Sequence, residues 1–253
     1  MSAHIIAVIN QKGGAGKTTT AAALGAGLHD KGRRVLYIDL DAGNISRNIG
    51  GQRSGAALDM LRSGEILRDQ IQRTRYGDLI AADQYTATAE TLLNEPGAEM
   101  HMREALQEIR AEYDYIIIDN PPTLGRRSAN ALTAADAVII PTMAAPNDLE
   151  GTGQLYQTIR AAQKYTNKQL HILGVLITNY EGRGKLQRGY RETAAAMAEH
   201  MQTELFPDPI PHTTEIQKAQ ARQISIYEQA PRSKAAGAYA AAVNYIETHM
   251  KGR

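Results

Sequence analysis

The chain has 253 residues, 43% of them hydrophobic and 22% charged, which suffices to bury a sizeable core in one domain spanning 1–253. Twenty-eight Lys and Arg against twenty-seven Asp and Glu leave a formal charge of +1, excluding a global field for nucleic acid or anionic membrane and leaving any such contact to a local patch. The absence of cysteine fits a reducing compartment and excludes disulfides, thiolate zinc sites and iron–sulfur clusters, so a metal would have to be held by oxygen.

The chain opens on a short apolar run, His4 to Asn10, without a basic leader and far below the roughly 18 residues of a membrane span, so a cytoplasmic protein is expected. Apolar, β-branched runs predict strands at Ile5 to Asn10, Val35 to Asp39, Asp78 to Ala81, Tyr115 to Asp119, Ala137 to Pro141 and Ile172 to Thr178. Segments of helical period fall between and after them at Thr18 to Lys31, Met102 to Glu112, Gly151 to Tyr165, Tyr190 to Leu205 and Ala235 to Met250. That alternation predicts an α/β class, with a mostly parallel central sheet and helices on both faces. The Pro-rich stretch Phe206 to Pro211 reads as a turn into the last third. Scattered histidines and the lack of a G-x-S-x-G elbow give zinc hydrolysis and serine catalysis no support.

Residues 12 to 18 read KGGAGKT, directly after the first strand and before an Ala-rich helix, the context a P-loop NTPase requires. Gly13, Gly14, Ala15 and Gly16 would turn successive backbone N–H groups toward phosphate oxygens, and the helix N-terminus adds its positive dipole end. Lys17 is then the group that neutralises the β and γ phosphates of ATP. The Thr18 hydroxyl is a ligand for Mg²⁺, and Thr19 is placed to bond the α-phosphate. VLYIDLD at 35 to 41 delivers Asp39 and Asp41 at the C-terminal end of a buried strand, where open α/β sheets bind ligands. YDYIIIDNPPTLG at 113 to 125 ends a second apolar strand in Asp119, which suits a carboxylate holding Mg²⁺ through water.

Gln11-Lys12 stands where the Walker pattern usually has its first glycine. This form, with the two carboxylate motifs, resembles the deviant Walker group of ParA, MinD and nitrogenase iron protein. SANALTAADAVIIP at 128 to 141, EGTGQL at 150 to 155, ILGVLITNYE at 172 to 181 and SIYEQAPRSKAAGAYAAAV at 225 to 243 extend the likeness over essentially the whole chain to the ParA family, which segregates plasmids and chromosomes. The resemblance implies that Lys12 is a signature lysine crossing a dimer interface to the partner's nucleotide. It implies too that Asp39 lies near the metal, that Asp41 positions or deprotonates the attacking water, and that Asn179 and Pro211 hold the adenine. Two departures stand out: Ala42, Gly43 and Asn44 replace the usual Pro-Gln-Gly-Asn after Asp41, and His212 and Glu215 occupy places where relatives carry DNA-contacting arginines.

RGKLQRGYR at 183 to 191 carries Arg183, Lys185, Arg188 and Arg191 with no acid. It reads as a patch for nonspecific DNA through phosphate contacts, or as a solvated basic loop and helix start. Lys218 and Arg222 are candidate substitutes for the missing arginines. The family resemblance implies an ATP-dependent homodimer, a ParB-like centromere-binding partner that stimulates slow hydrolysis, and a nucleoid location. The start of the chain near its first strand leads us to expect no N-terminal helix-turn-helix. A MinD-like membrane ATPase is the alternative, but the Ala-, Gly- and Tyr-rich segment Ala235 to Met250 offers little bulk for lipid. A metabolic P-loop enzyme would have no need of Lys12, and nitrogenase-type reduction fails without cysteine.

Overall fold

The computed structural model describes residues 2–143, 148–182 and 184–250. Its strands are β1 (His4–Val8), β2 (Val35–Asp39), β3 (Gln72–Thr74), β4 (Gly77–Ile80), β5 (Tyr115–Asp119), β6 (Ala137–Thr142) and β7 (His171–Ile177). The helices are α1 (Lys17–Asp30), α2 (Asn44–Asn48), α3 (Ala56–Ser63), α4 (Ala89–Leu92), α5 (His101–Gln107), α6 (Arg126–Ala134), α7 (Asp148–Tyr165), α8 (Lys185–His200), α9 (Thr214–Arg222), α10 (Ile226–Gln229) and α11 (Lys234–Met250). Among the described residues they form one sheet in the order β3-β4-β2-β5-β1-β6-β7, parallel throughout except for β3.

Period-two alternation within the buried strands divides the core in two. Ile5, Ala7, Leu36, Ile38, Ile116 and Ile118 point to the face packed by α3, α5 and α6. Ile6, Val8, Val35, Tyr37 and Ile117 point to the face packed by α1 and α11. Gly25 lets α1 approach β2: a Cβ there would sit 2.3 Å from Cε1 of the fully buried Tyr37 ring. Gly25→Ala should therefore destabilise the fold by about 1–3 kcal/mol, because overpacking outweighs the gain in helix propensity. A drop in the urea midpoint at unchanged slope would register it.

The six expected strands are all present, with ends displaced by a residue or two. The seventh, β3, escapes sequence reading because its three polar residues, Gln72, Arg73 and Thr74, form an antiparallel edge with no apolar run. Several expected helix limits also move. The helix foreseen at Met102 to Glu112 stops at Gln107 and resumes as a 3₁₀ turn at Arg110–Glu112. The helix foreseen from Tyr190 begins at Lys185 and ends at His200. Phe206 to Pro211 is a correction: it runs alongside β7 as an irregular edge, with Phe206 N donating to Val175 O at 2.9 Å and Ile210 N to Ile177 O at 2.8 Å. Prolines at 207, 209 and 211 lack N–H groups and so forbid a regular ladder, while the residues between and after them still pair.

Candidate active site

Sheet register assembles the site. Val8 at the end of β1 lies opposite Asp119 at the end of β5, and Asp119 lies opposite Asp39 at the end of β2. The chain order reverses on either side of β1, so the crevice where open α/β sheets bind ligands lies above these three strand ends. The 12–18 loop crosses that crevice. Asn10 anchors its start, donating to Pro141 O at 2.6 Å and accepting from Lys12 N at 3.0 Å. Thr178 anchors its middle, its Oγ1 donating to the carbonyl of fully buried Ala15 at 2.9 Å. Gly14 and Gly16 adopt φ of 75° and 87°, left-handed values that glycine takes without cost. No side chain caps α1, so its first N–H groups remain available to an anion.

Lys17 is 5% exposed, and its Nζ donates to Lys12 O at 3.1 Å. Burial lowers its pKa, while Asp119 and Asp41 oppose the shift. Asp119 is fully buried, and neither carboxylate oxygen has a well-formed hydrogen bond. Burial first, then repulsion from Asp39, pushes its pKa well up, with Thr18 and Lys17 offsetting part of this. Asp39 is equally buried but differs in one respect: its Oδ1 accepts from Asp41 N at 2.8 Å, and its Oδ2 from Ser46 N at 3.0 Å and Ser46 Oγ at 2.7 Å. Those bonds counter the upward push of burial. Of the two carboxylates, Asp119 thus has its oxygens unspent beside Thr18. Asp39 uses its own to fold the segment after β2.

In that segment Ala42 and Gly43 both take left-handed φ, 55° and 85°, and α2 begins at once at Asn44. Asn44 Nδ2 donates to Asp41 Oδ2 at 3.1 Å, leaving Asp41 half-buried at the rim of the crevice. Arg127 secures the same corner. Its Nη1 donates to Leu40 O at 2.8 Å and its Nε to Glu90 Oε1 at 2.8 Å, with side chains 6% and 27% exposed. Arg127→Ala would strand both acceptors and should cost about 2–3 kcal/mol, less than a fully buried pair because Glu90 is partly solvated. Equilibrium denaturation measures this, and an unchanged midpoint would remove Arg127 from the corner's support.

A cavity of about 280 Å³ adjoins the loop, lined by Gly14, Gly16, Asn179, Pro211, His212 and Gln220 among others. The fold therefore brings the two expected base-contacting residues to the phosphate loop. Asn179 occupies φ 53°, a conformation asparagine tolerates better than most residues. Gln220 on α9 donates from Nε2 to Thr19 Oγ1 at 2.8 Å, tying that helix to the residue expected at the α-phosphate. Sequence reading missed Arg127, Thr178 and Gln220, since each acts through a partner remote in the chain, and Ser46, whose bonds to Asp39 depend on the bend between them.

The DNA candidates are dispersed. Arg183 lies outside the described residues, Lys185 opens α8, and Arg188 and Arg191 are exposed on the first turns of that helix. On α9, Lys218 is paired with Glu215 at 2.7 Å, and Glu215 also accepts from Gln229 at 2.9 Å. Arg222 donates to Gln229 at 3.1 Å. Glu215 thus neutralises part of the charge on which a substitute phosphate contact would depend.

A family model described as "AAA domain" matches residues 3–172. The sporulation initiation inhibitor protein Soj of Bacillus subtilis is 36% identical over 242 residues, covering 93% of this chain and 94% of that protein. The chromosome partitioning protein ParA of Caulobacter vibrioides is 36% identical over 225 residues, covering 85% and 83%. Among solved structures, one described as cobyrinic acid a,c-diamide synthase from Mycobacterium smegmatis with bound ADP and magnesium has a TM-score of 0.83 at 33% identity, covering 99% and 96%. The cell division ATPase MinD of Pyrococcus furiosus has a TM-score of 0.77 at 25% identity, covering 97% and 99%. Nearly end-to-end likeness to Soj and ParA, on a sheet whose register gathers Lys17, Thr18 and Asp119 at one crevice, means that the chain belongs to the ParA/Soj/MinD family of ATPases.

Proposed function

We propose that the chain drives ATP-dependent DNA partition. ATP would close two copies face to face, and the closed dimer would hold nonspecific DNA until hydrolysis, stimulated by a ParB-like centromere-binding partner, releases it on the nucleoid. The observation that carries the reading is the pair of unspent oxygens on buried Asp119 beside Thr18. A buried carboxylate whose oxygens lack a well-formed hydrogen bond is costly in the free protein and fits a group kept for a cation. Thr18 and Asp119 would hold Mg²⁺, a hard ion that takes oxygen ligands, and bound there it would supply neutralisation of the β and γ phosphate charge.

This chain's own residues do the rest. Lys17 would exchange its bond to the Lys12 carbonyl for the phosphates, and Gly13 to Gly16 would bind them through main-chain N–H groups. Asp41, oriented by Asn44, would position the attacking water and accept its proton. Lys12 would enter the partner copy's site and stabilise charge developing on the transferred phosphoryl. Asn179 and Pro211 would seat the adenine. Arg188 and Arg191, with Arg183 and Lys185, would meet DNA phosphates, so binding should weaken steeply with salt.

Support against the membrane reading comes from α11. Its apolar residues Tyr239, Val243, Ile246 and Met250 are buried in the core, and among the described residues no helix is long and apolar enough to cross a membrane. Sedimentation of the full chain with nonspecific DNA in ATP, ADP or no nucleotide tests the proposal. Retention in ATP alone is expected, whereas equal retention in all three states would defeat the coupling. Anionic liposomes in the same assay give the MinD-like alternative its chance. Asp41→Ala is expected to hold the ATP-bound, DNA-retaining state, and an unchanged hydrolysis rate would remove Asp41 from the chemistry.

A further inference from the structure

Asn179 and His212 are remote in sequence but adjoin because the chain around them is zipped together. Tyr180 N donates to Ile210 O at 2.9 Å and His212 N to Tyr180 O at 3.0 Å. The zipper sets the His212 ring against the Asn179 side chain, with Nδ1 2.5 Å from Oδ1. Both residues line the cavity beside the phosphate loop.

A carboxamide is nearly symmetric in shape and opposite in chemistry at its two ends: Oδ1 accepts through two lone pairs and Nδ2 only donates. Adenine offers a donor at N6 beside an acceptor ring nitrogen. Guanine offers an acceptor at O6 in the place of that donor. One amide can therefore read either base, depending on which way round it sits, and an unrestrained asparagine discriminates poorly. We propose that His212 is the specificity-determining residue for the base: its Nδ1–H donates to one lone pair of Asn179 Oδ1 and pins the amide so that the second lone pair accepts from adenine N6. A flipped amide would set Nδ2–H₂ against Nδ1–H, and relief would require the ring to exchange tautomers as well. With the amide pinned, guanine O6 meets Oδ1, acceptor against acceptor, which rejects the wrong base by repulsion. His212 touches no phosphate and no reacting atom in this scheme, so it is a positioning residue.

The proposal rests on the reading of Asn179 as the base contact, and the test separates the two. Affinities for the N-methylanthraniloyl derivatives of ATP and GTP would be measured with the full chain and the variants His212→Ala, His212→Asn and Asn179→Ala. Loss of one such hydrogen bond should lower the ATP-to-GTP affinity ratio of His212→Ala by about fivefold. His212→Asn should keep the wild-type ratio, because its Nδ2 occupies the place of the imidazole Nδ1–H. Discrimination lost in Asn179→Ala but kept in His212→Ala would overturn the pin and leave the base contact standing. Discrimination unaffected in Asn179→Ala would overturn the base contact and the pin with it. Equal loss in His212→Ala and His212→Asn would show that ring packing rather than the donor matters, which also overturns the proposal. Asn179 and His212 are both exposed, so all three proteins should fold, and matching thermal melts would verify that.

Discussion

Lys12→Ala is expected to slow ATP hydrolysis by about 10³-fold or more, the scale of a charge brought to the transferred phosphoryl by a partner, while ATP affinity stays close to wild type. The split follows from the structure. Lys12 serves its own loop through the main chain, its carbonyl accepting from Lys17 Nζ and its N–H donating to Asn10 Oδ1, and alanine keeps both bonds. What the substitution removes is the side chain with its ammonium. Single-turnover hydrolysis and titration with a fluorescent ATP derivative read the two quantities separately, and a fall in affinity matching the fall in rate would place the side chain in ground-state binding instead. A mixture supplies the stricter test. Lys12→Ala and Asp41→Ala chains should each hydrolyse ATP far more slowly alone, but a mixed dimer would carry one site with an intact Asp41 and a Lys12 from the other chain. Activity restored by mixing is expected, and none would put Lys12 in its own copy's site.

Asp119→Asn should produce two opposite effects. Hydrolysis should fall by about 10²-fold, since the metal-supported stabilisation of phosphoryl charge is worth several kcal/mol. The nucleotide-free protein should become more stable. The sign follows from the raised pKa: burial outweighs the help from Thr18 and Lys17, so the folded state holds the proton more tightly than the unfolded chain. The charged form of Asp119 then costs stability at pH above its folded-state value, and that cost fades as pH falls through that value toward the lower unfolded-chain value. Asparagine is uncharged and carries no such cost. At about 2–4 °C per kcal/mol for a chain of this size, a melting temperature several degrees higher is expected at pH 7, with the gap to wild type narrowing in acid. A lower melting temperature at pH 7 would mean that Asp119 is already compensated, removing the basis for reserving it for a cation.

Legibility in the sequence tracked distance along the chain. The phosphate loop could be read because Lys12 to Thr19 is a local pattern bounded by a strand and a helix. The central strands could be read because burial on both faces makes them continuous apolar runs. The edge gave no such signal. β3 is polar, and Phe206 to Pro211 reads as a turn until β7 is beside it, since its prolines hide a pairing made by Phe206, Ile210 and His212. Likewise α2 and α9 are short, and α9 depends on a capping threonine, Thr213, and on Glu215 and Gln229 for its surface pairs.

By itself the sequence determined an α/β nucleotide fold, the identity of the loop and the carboxylates Asp39, Asp41 and Asp119, because each is written in contiguous residues. Tertiary structure alone decided how hydrogen bonds are shared among those carboxylates. Register sets Asp39 and Asp119 side by side, and the bend at Ala42 and Gly43 turns Asp41 N and Ser46 onto the first, while the second keeps no well-formed hydrogen bond. It also decided that Asn179 meets His212 and that Thr19 meets Gln220. A hydrogen bond is fixed by three-dimensional approach, and no spacing along the chain encodes it.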